Sequence, residues 1–156
     1  MIPTTSPRGF TLLIAVVLSS VIVSISLALI DIAYKQVLLS AAAAQSTAAF
    51  YNADSALECA LYWDQKANAF DYNDPLSSSG ISCANIPITD YAVSSPSAGV
   101  KRTTMTLPCV TTGSTGNVTI EKTDTGRTTV FANGYNTCDV NDPRRAERGL
   151  KASYGG

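Results

Sequence analysis

The chain has 156 residues, 46% of them hydrophobic, and its 11 basic and 12 acidic residues leave a net charge of −1. This balance gives no global field toward nucleic acid or an acidic partner. The sequence has no His, the commonest general base and metal ligand, and it has no Gly-rich phosphate loop or recognisable nucleophile motif. The composition therefore predicts neither an enzyme nor a nucleic-acid-binding protein, and it predicts no cofactor.

The first long element is an uncharged apolar segment over residues 10–30. It contains no Gly and no Pro, and its only polar side chains are hydroxyls. As a helix, a segment of this length spans roughly 30 Å, the thickness of the hydrocarbon core of a bilayer. Hydroxyls on a helix can bond to carbonyls of the preceding turn, so they cost little in lipid. The segment therefore predicts a membrane-spanning helix.

A short polar leader, residues 1–9, precedes the apolar segment. A secretory signal peptide places its small-residue cleavage point after a short apolar core. Here Gly9 is the only small-residue cleavage point that precedes the apolar segment. Cleavage there would leave the whole helix on a mature chain that begins at Phe10. The alternative is an ordinary signal anchor, which would keep Met1.

The helical pattern continues beyond the membrane segment, because the sequence contains neither Gly nor Pro between Phe10 and Asp74. Asp31 and Lys35 are the first charges and form a favourable i,i+4 pair. Residues 36–50 are rich in Ala, either for helix propensity or for close approach of neighbouring helices. Apolar residues recur with a helical period, and they form a stripe that consists of Phe50, Ala53, Leu57 and Leu61, with Ala49, Ala56, Ala60 and Trp63 alongside. We predict one helix over residues 10–66, with residues 31–67 as its amphipathic continuation.

The remaining residues, 68–156, are predicted to form a β-rich domain. Residues 100–107, 117–123, 127–132 and 146–154 alternate apolar and polar side chains or read as extended, and residues 91–93 form a shorter candidate strand. Asp124-Thr125-Gly126 predicts a hairpin turn between two of these strands. The expected fold class is therefore α+β, with a long N-terminal helix packed on a small antiparallel sheet.

The four cysteines, Cys59, Cys83, Cys109 and Cys138, contain no CxxC pair, which argues against a zinc ribbon or a thioredoxin-type site. Their wide spacing suits disulfides formed in an oxidising compartment. Three pairings are possible, and we favour Cys59–Cys83 with Cys109–Cys138, because each then closes a modest loop worth roughly 3–4 kcal/mol.

Two polar clusters near the C-terminus are candidate sites. Asp139, Asn141 and Asp142 carry the oxygen ligands that Ca²⁺ prefers, but a single short loop is more typical of a solvated turn, and we predict no metal. A basic cluster could meet an anionic partner or form a solvated edge. The cluster consists of Arg144, Arg145, Arg148 and Lys151.

The stretch Arg8-Gly9-Phe10-Thr11-Leu12, followed by the apolar segment, resembles the class III leader of bacterial type IV pilins and type II secretion pseudopilins. Residues 49–58 (AFYNADSALE) and 144–150 (RRAERGL) are similar to stretches of the PilX-type minor pilins. The resemblance is best over residues 8–63 and thin across the β-domain. It implies the type IV pilin fold.

The resemblance also implies how the subunit is processed, inserted in the membrane and assembled. A prepilin peptidase would cut after Gly9 and methylate Phe10, and the subunit would stay in the cytoplasmic membrane as a single-pass protein with its C-terminal domain outside. A pilus assembly platform would then move it into a pilus at the cell surface, where the partners are other pilin subunits. The residues expected to pack in the filament core are Leu12, Leu13, Ile14, Val16 and Val17.

The sequence departs from the pilin pattern at Ile14, the fifth mature position, where most pilins carry a Glu that pairs with the N-terminal ammonium of a neighbour. In the family, a pseudopilin without this Glu is the subunit at the filament tip. The resemblance therefore implies a minor subunit that initiates, caps or modulates a pilus. The alternative is a single-pass membrane protein whose extracytoplasmic β-domain binds a ligand and never polymerises.

Overall fold

The structure, a computed structural model, describes residues 8–73, 80–94, 97–109 and 115–156. Its first element is helix α1, Arg8–Ala67, which has 60 residues. The helix begins two residues before the predicted start and ends one residue after the predicted end. It is continuous because nothing between Phe10 and Ala67 removes a backbone donor or loosens the chain. The chain divides into two compact units, Met1–Ala41 and Ala42–Gly156.

The helix ends in a left-handed cap. Asn68 has a φ of 49°, and the N–H of Ala69 donates to the carbonyl of Trp63 at 3.1 Å. Asn tolerates this conformation better than most residues, and the bond satisfies a carbonyl that the helix end would leave free. The Asn68 amide also donates to Asp71 Oδ2 at 2.8 Å. The cap therefore stops the helix where the sequence predicts a loop; residues 74–79 of that loop lie outside the described residues.

The second unit contains two antiparallel sheets in its described part. A two-stranded sheet pairs β1, Ser82–Cys83, with β2, Ile86–Pro87. A five-stranded meander follows in the order β3-β4-β5-β6-β7. Its strands are β3 Asp90–Val93, β4 Val100–Leu107, β5 Thr115–Thr123, β6 Thr128–Tyr135 and β7 Glu147–Tyr154.

The observed strands differ from the predicted ones mainly at their ends. β4 has the predicted bounds, whereas β5 begins two residues earlier than expected and β6 continues to Tyr135. β1 and β2 were not predicted, since two residues are too few to show an alternating pattern. The turn at Gly126 is present, with a φ of +86° and a bond from the N–H of Thr123 to the carbonyl of Arg127. Local turn chemistry thus sets the β5–β6 register.

One face of the meander packs on the part of α1 that follows Ala42. The alternating pattern of the strands places Met105, Val118, Ile120 and Val130 in the interior, each at most 2% exposed. Phe70, just after the helix, is 1% exposed and joins the same cluster. The core therefore lies between the helix and the sheet, and the inner face of the sheet also buries three polar side chains, those of Lys101, Thr103 and Thr128.

The helix contacts the sheet through the alanines of the predicted apolar stripe. Leu57 and Leu61 are only half-buried, whereas a row of four alanines at helical spacing is fully buried: Ala49, Ala53, Ala56 and Ala60. A methyl group built on Gly134 of β6 would overlap backbone atoms of Ala49 and Ala53. The small side chains thus allow the backbone of the sheet to approach the backbone of the helix.

Two disulfides stabilise the second unit, and they are the pairs favoured from the sequence. Cys59 of α1 is bonded to Cys83 of β1, and Cys109, after β4, is bonded to Cys138, after β6. The fold class is α+β, as expected: a long, apolar N-terminal helix is packed on a small antiparallel sheet. This arrangement is consistent with a pilin-like fold.

Candidate membrane and packing surface

The N-terminal part of α1 presents apolar side chains that no other described residue covers. The five residues predicted to pack in a filament core have exposed fractions between 40% and 68%: Leu12, Leu13, Ile14, Val16 and Val17. Phe10–Ala67 contains an 18-residue window with a mean hydropathy of 2.8, none of it buried. By length and composition, this helix could cross a membrane. As in a membrane span, its apolar side chains are exposed rather than buried in a soluble core.

The serine hydroxyls in this segment are satisfied within the helix. Ser24 Oγ donates to the Ser20 carbonyl and Ser26 Oγ to the Ile22 carbonyl, each at 2.8 Å. Ser19 and Ser20 donate in the same way to carbonyls three residues earlier. Because every such bond stays inside one helix, these polar atoms need no partner from water. The apolar surface is thus compatible with lipid as well as with another helix.

The candidate processing site lies at the beginning of this helix. Gly9 and Phe10 both belong to its first turn, and the Phe10 side chain is 67% exposed. Residues 1–7 of the predicted leader lie outside the described residues. At the other end of the apolar segment, Asp31 Oδ2 and Lys35 Nζ form the expected ion pair at 2.7 Å. Both charges are exposed, so they are suited to the edge of a membrane.

A polar cluster around the buried Asp64, which sequence reasoning missed, joins the end of α1 to the last strand. Tyr154 of β7 donates to Asp64 Oδ2 at 2.5 Å, and Lys122 of β5 pairs with Asp64 Oδ1 at 2.7 Å. Asp64 is 5% exposed. Burial, and then the hydrogen bond to Asp64, raise the pKa of the Tyr154 phenol well above its ordinary value. One sequence signal could have indicated that Asp64 is buried: it lies one helical turn after Ala60, on the same face of α1 as the buried alanines.

An open groove of about 490 Å³, also missed, lies beside the second part of α1. Helix side chains line one wall and the β1–β2 hairpin lines another, with the end of β4 beneath. Trp63 Nε1 donates to the Ser82 carbonyl at 2.9 Å and so fixes one wall to the other. The principal side chains of the groove are Glu58, Tyr62, Trp63, Ile86, Leu107 and Pro108.

The predicted loop of oxygen ligands forms a turn. The Asp139 and Asp142 carboxylates accept backbone N–H groups of Asn141 and Arg144 at 2.9 and 2.8 Å. These carboxylates therefore cap the turn's own backbone. Among the residues that the structure describes, no group of three or more His, Cys, Asp or Glu side chains could hold a metal ion.

The basic cluster is held by contacts within the chain. The Arg145 guanidinium lies 3.9 Å from the centroid of the Tyr135 ring, and Lys151 Nζ lies 4.9 Å from that of Phe131. Arg148 Nε donates to Ser46 Oγ at 2.8 Å. Because these cations already have partners, the contacts favour the solvated edge over an anionic partner.

In comparison with known proteins, no family model matches this chain, and no curated protein or solved structure is significantly similar to it.

Proposed function

We propose that this chain is a minor type IV pilin or pseudopilin. It is a structural subunit that enters the membrane through its apolar helix and is cut by a prepilin peptidase after Gly9. It then takes part in initiating, capping or modulating a pilus filament. The observation that carries the proposal is the uninterrupted, uncovered apolar surface that begins next to the candidate cleavage point.

The exposed side chains support this proposal because water is a poor environment for them. Each fully buried large aliphatic side chain gains about 1.5–3 kcal/mol relative to exposure. Nearly every large side chain from Phe10 to Leu39 is at least 40% exposed, so the segment needs an apolar host. Lipid and a bundle of equivalent helices are both apolar hosts, so moving between them costs little, and helix packing decides the outcome.

Ile14 supports a position at the tip of the filament or a role in initiating the filament. This side chain is 40% exposed and carries no charge. In a filament core it cannot neutralise the terminal ammonium of a neighbouring subunit, and an unpaired ammonium in an apolar core is costly. A position that lacks one neighbour avoids that cost.

The test is mass spectrometry of filaments sheared from cells that produce this chain. We expect a peptide that begins at Phe10 and carries a methylated amine. A Gly9→Val subunit should keep its leader and remain in the membrane fraction, whereas a Ser19→Ala subunit should be processed normally. A mature chain that still begins at Met1, or filaments that lack the chain, would contradict the proposal.

The second candidate function is a membrane-anchored extracytoplasmic domain that binds a ligand without polymerising. The groove beside Trp63 favours it, since its volume of about 490 Å³ suits a small ligand. Recovery of the chain in membranes and never in sheared filaments would support this candidate over the pilin.

A further inference from the structure

We propose that the groove beside α1 is a binding site for a small organic cation, namely a primary or quaternary alkylammonium group. This inference goes beyond the pilin proposal, because the groove lies within the second unit and neither processing nor filament packing uses it. Three properties of its lining carry the inference: its charge, its two aromatic rings and its apolar base.

The charge of the groove is negative. Glu58 is the one charged side chain among the described residues that line it. Its carboxylate is exposed, and within the described ranges it forms neither an ion pair nor a hydrogen bond. A carboxylate beside low-dielectric walls attracts a cation more strongly than one in open water. The lining therefore offers an unneutralised negative charge to a ligand.

Two aromatic rings form a corner of the groove. The centroids of Tyr62 and Trp63 are 5.9 Å apart, and their planes meet at 88°. Tyr62 is one helical turn after Glu58, so the two side chains lie on the same face of α1. The faces of aromatic rings attract ammonium groups by about 0.5–2 kcal/mol each, and perpendicular rings can contact one cation from two sides.

The base of the groove is apolar and fixed. Ile86, Leu107 and Pro108 supply surface for methyl or methylene groups. The Cys59–Cys83 disulfide and the Trp63–Ser82 hydrogen bond join the two walls, so a ligand would order little of the protein on binding. Such preorganisation lowers the entropic cost of association. An alkylammonium, with a cationic head and an apolar body, complements all three properties.

The chain provides its own probe, because Trp63 is its single tryptophan. The full chain, in a non-ionic detergent, would be titrated with choline while Trp63 fluorescence is recorded. The control for shape is 3,3-dimethyl-1-butanol, the uncharged carbon isostere of choline. Nα-acetyl-lysine methylamide, which keeps its charged side-chain ammonium, represents a lysine side chain of a protein. We expect a saturable change with one or both cations and none with the isostere.

Glu58→Gln should weaken cation binding by about tenfold or more, which corresponds to about 1.4 kcal/mol. Asp54→Asn is the matched control, since Asp54 lies one turn earlier on α1, does not line the groove and should leave binding unchanged. Saturation by choline alone would identify a small quaternary ligand, and saturation by the lysine derivative would identify a side chain of another protein. No saturable change with either cation, equal binding of the isostere, or full affinity in Glu58→Gln would overturn the proposal.

Discussion

At the scale of single residues, the charged cluster of Asp64, Lys122 and Tyr154 shows how a carboxylate is accommodated in the core. A buried carboxylate without partners is costly, and this one receives a cation on one oxygen and a phenol on the other. The three residues come from α1, β5 and β7, so the cluster ties the last strand of the meander to the helix. Its loss should loosen the C-terminal edge of the sheet.

Tyr154→Phe should lower the free energy of unfolding by about 1–2 kcal/mol at neutral pH, since Asp64 loses a buried hydrogen-bond donor. Tyr51→Phe, at an exposed position on α1, is the matched control and should have no effect. Denaturant unfolding followed by circular dichroism measures both. Equal stability of the two variants would contradict a structural role for the phenol.

The same phenol predicts a dependence on alkaline pH. The folded state raises the pKa of Tyr154, through burial and the Asp64 carboxylate, so folding favours the neutral phenol. The stabilisation is therefore complete below pH about 10, the ordinary pKa of Tyr, and is lost as the pH rises above that value. Unfolding free energy measured across this range should fall more steeply in the parent than in Tyr154→Phe. In Tyr154→Phe the unfolding free energy should still fall with rising pH, but less steeply, since burial and Glu147 also raise the pKa of Tyr135.

At the scale of elements, the helix and the sheet approach closely because the residues at their contact have small side chains or none. Four alanines of α1 are fully buried, and Gly134 of β6 lies directly against the backbone between Ala49 and Ala53. The Asn52 amide donates to the Tyr135 carbonyl at 2.7 Å beside this contact. Because interiors are close-packed, an added methyl group at such a contact requires the backbone to move.

Gly134→Ala should therefore destabilise the second unit by about 3 kcal/mol, at the upper end of the usual cost of overpacking. Gly149→Ala in the neighbouring strand β7 is the matched control, because its new methyl group would meet the side chain of Asn133, which can rotate. Thermal unfolding compares the two. A smaller loss in Gly134→Ala than in Gly149→Ala would contradict the close approach of helix and sheet.

The apolar half of α1 makes a separate prediction. Val17→Asp places a charge in the middle of the apolar segment, which costs about 2.5–3.5 kcal/mol in a membrane-spanning helix. It should reduce membrane insertion and abolish recovery in filaments. Val140→Asp introduces the same charge at an exposed position of the second unit and should do neither. Membrane fractionation and filament shearing provide the measurements. Normal incorporation of Val17→Asp into filaments would contradict the proposed packing of the apolar segment in a filament core.

At the scale of the whole molecule, two cross-links compensate for a small core. The second unit is small, and domains of modest size bury a limited fraction of their surface. The two disulfides span sequence separations of 24 and 29 residues, and they connect the helix to β1 and the loop after β4 to the loop after β6. They restrict the unfolded chain over residues 59–83 and 109–138, which include about half of the β-rich part.

Replacing Cys59 and Cys83 together by Ser should lower the free energy of unfolding by about 3 kcal/mol, because the unfolded chain regains the entropy of an open loop. The double replacement of Cys109 and Cys138 should cost a similar amount, since its loop has a similar length. Calorimetry in the absence of reductant measures both changes. An unchanged melting temperature in both variants would show that the cross-links contribute little.

The sequence by itself determined the helix, the fold class and the favoured cysteine pairs. The absence of Gly and Pro between Phe10 and Asp74 leaves α1 uninterrupted, and the alternation in β4 predicts that strand, because both signals are local in the chain. Uncharged residues over 10–30 likewise identify the apolar segment, because membrane compatibility depends on composition and length.

Only the tertiary structure decided which face of the helix is buried and what surrounds it. The predicted stripe contained leucines and alanines together, and the close approach of Gly134 fully buries its alanines while Leu57 and Leu61 stay half-buried. Asp64 accepts a hydrogen bond from Tyr154, which is 90 residues away, and the walls of the groove are joined by Trp63 and Ser82, which are 19 residues apart. Contacts between distant residues depend on how the elements pack, and local periodicity carries no record of that packing.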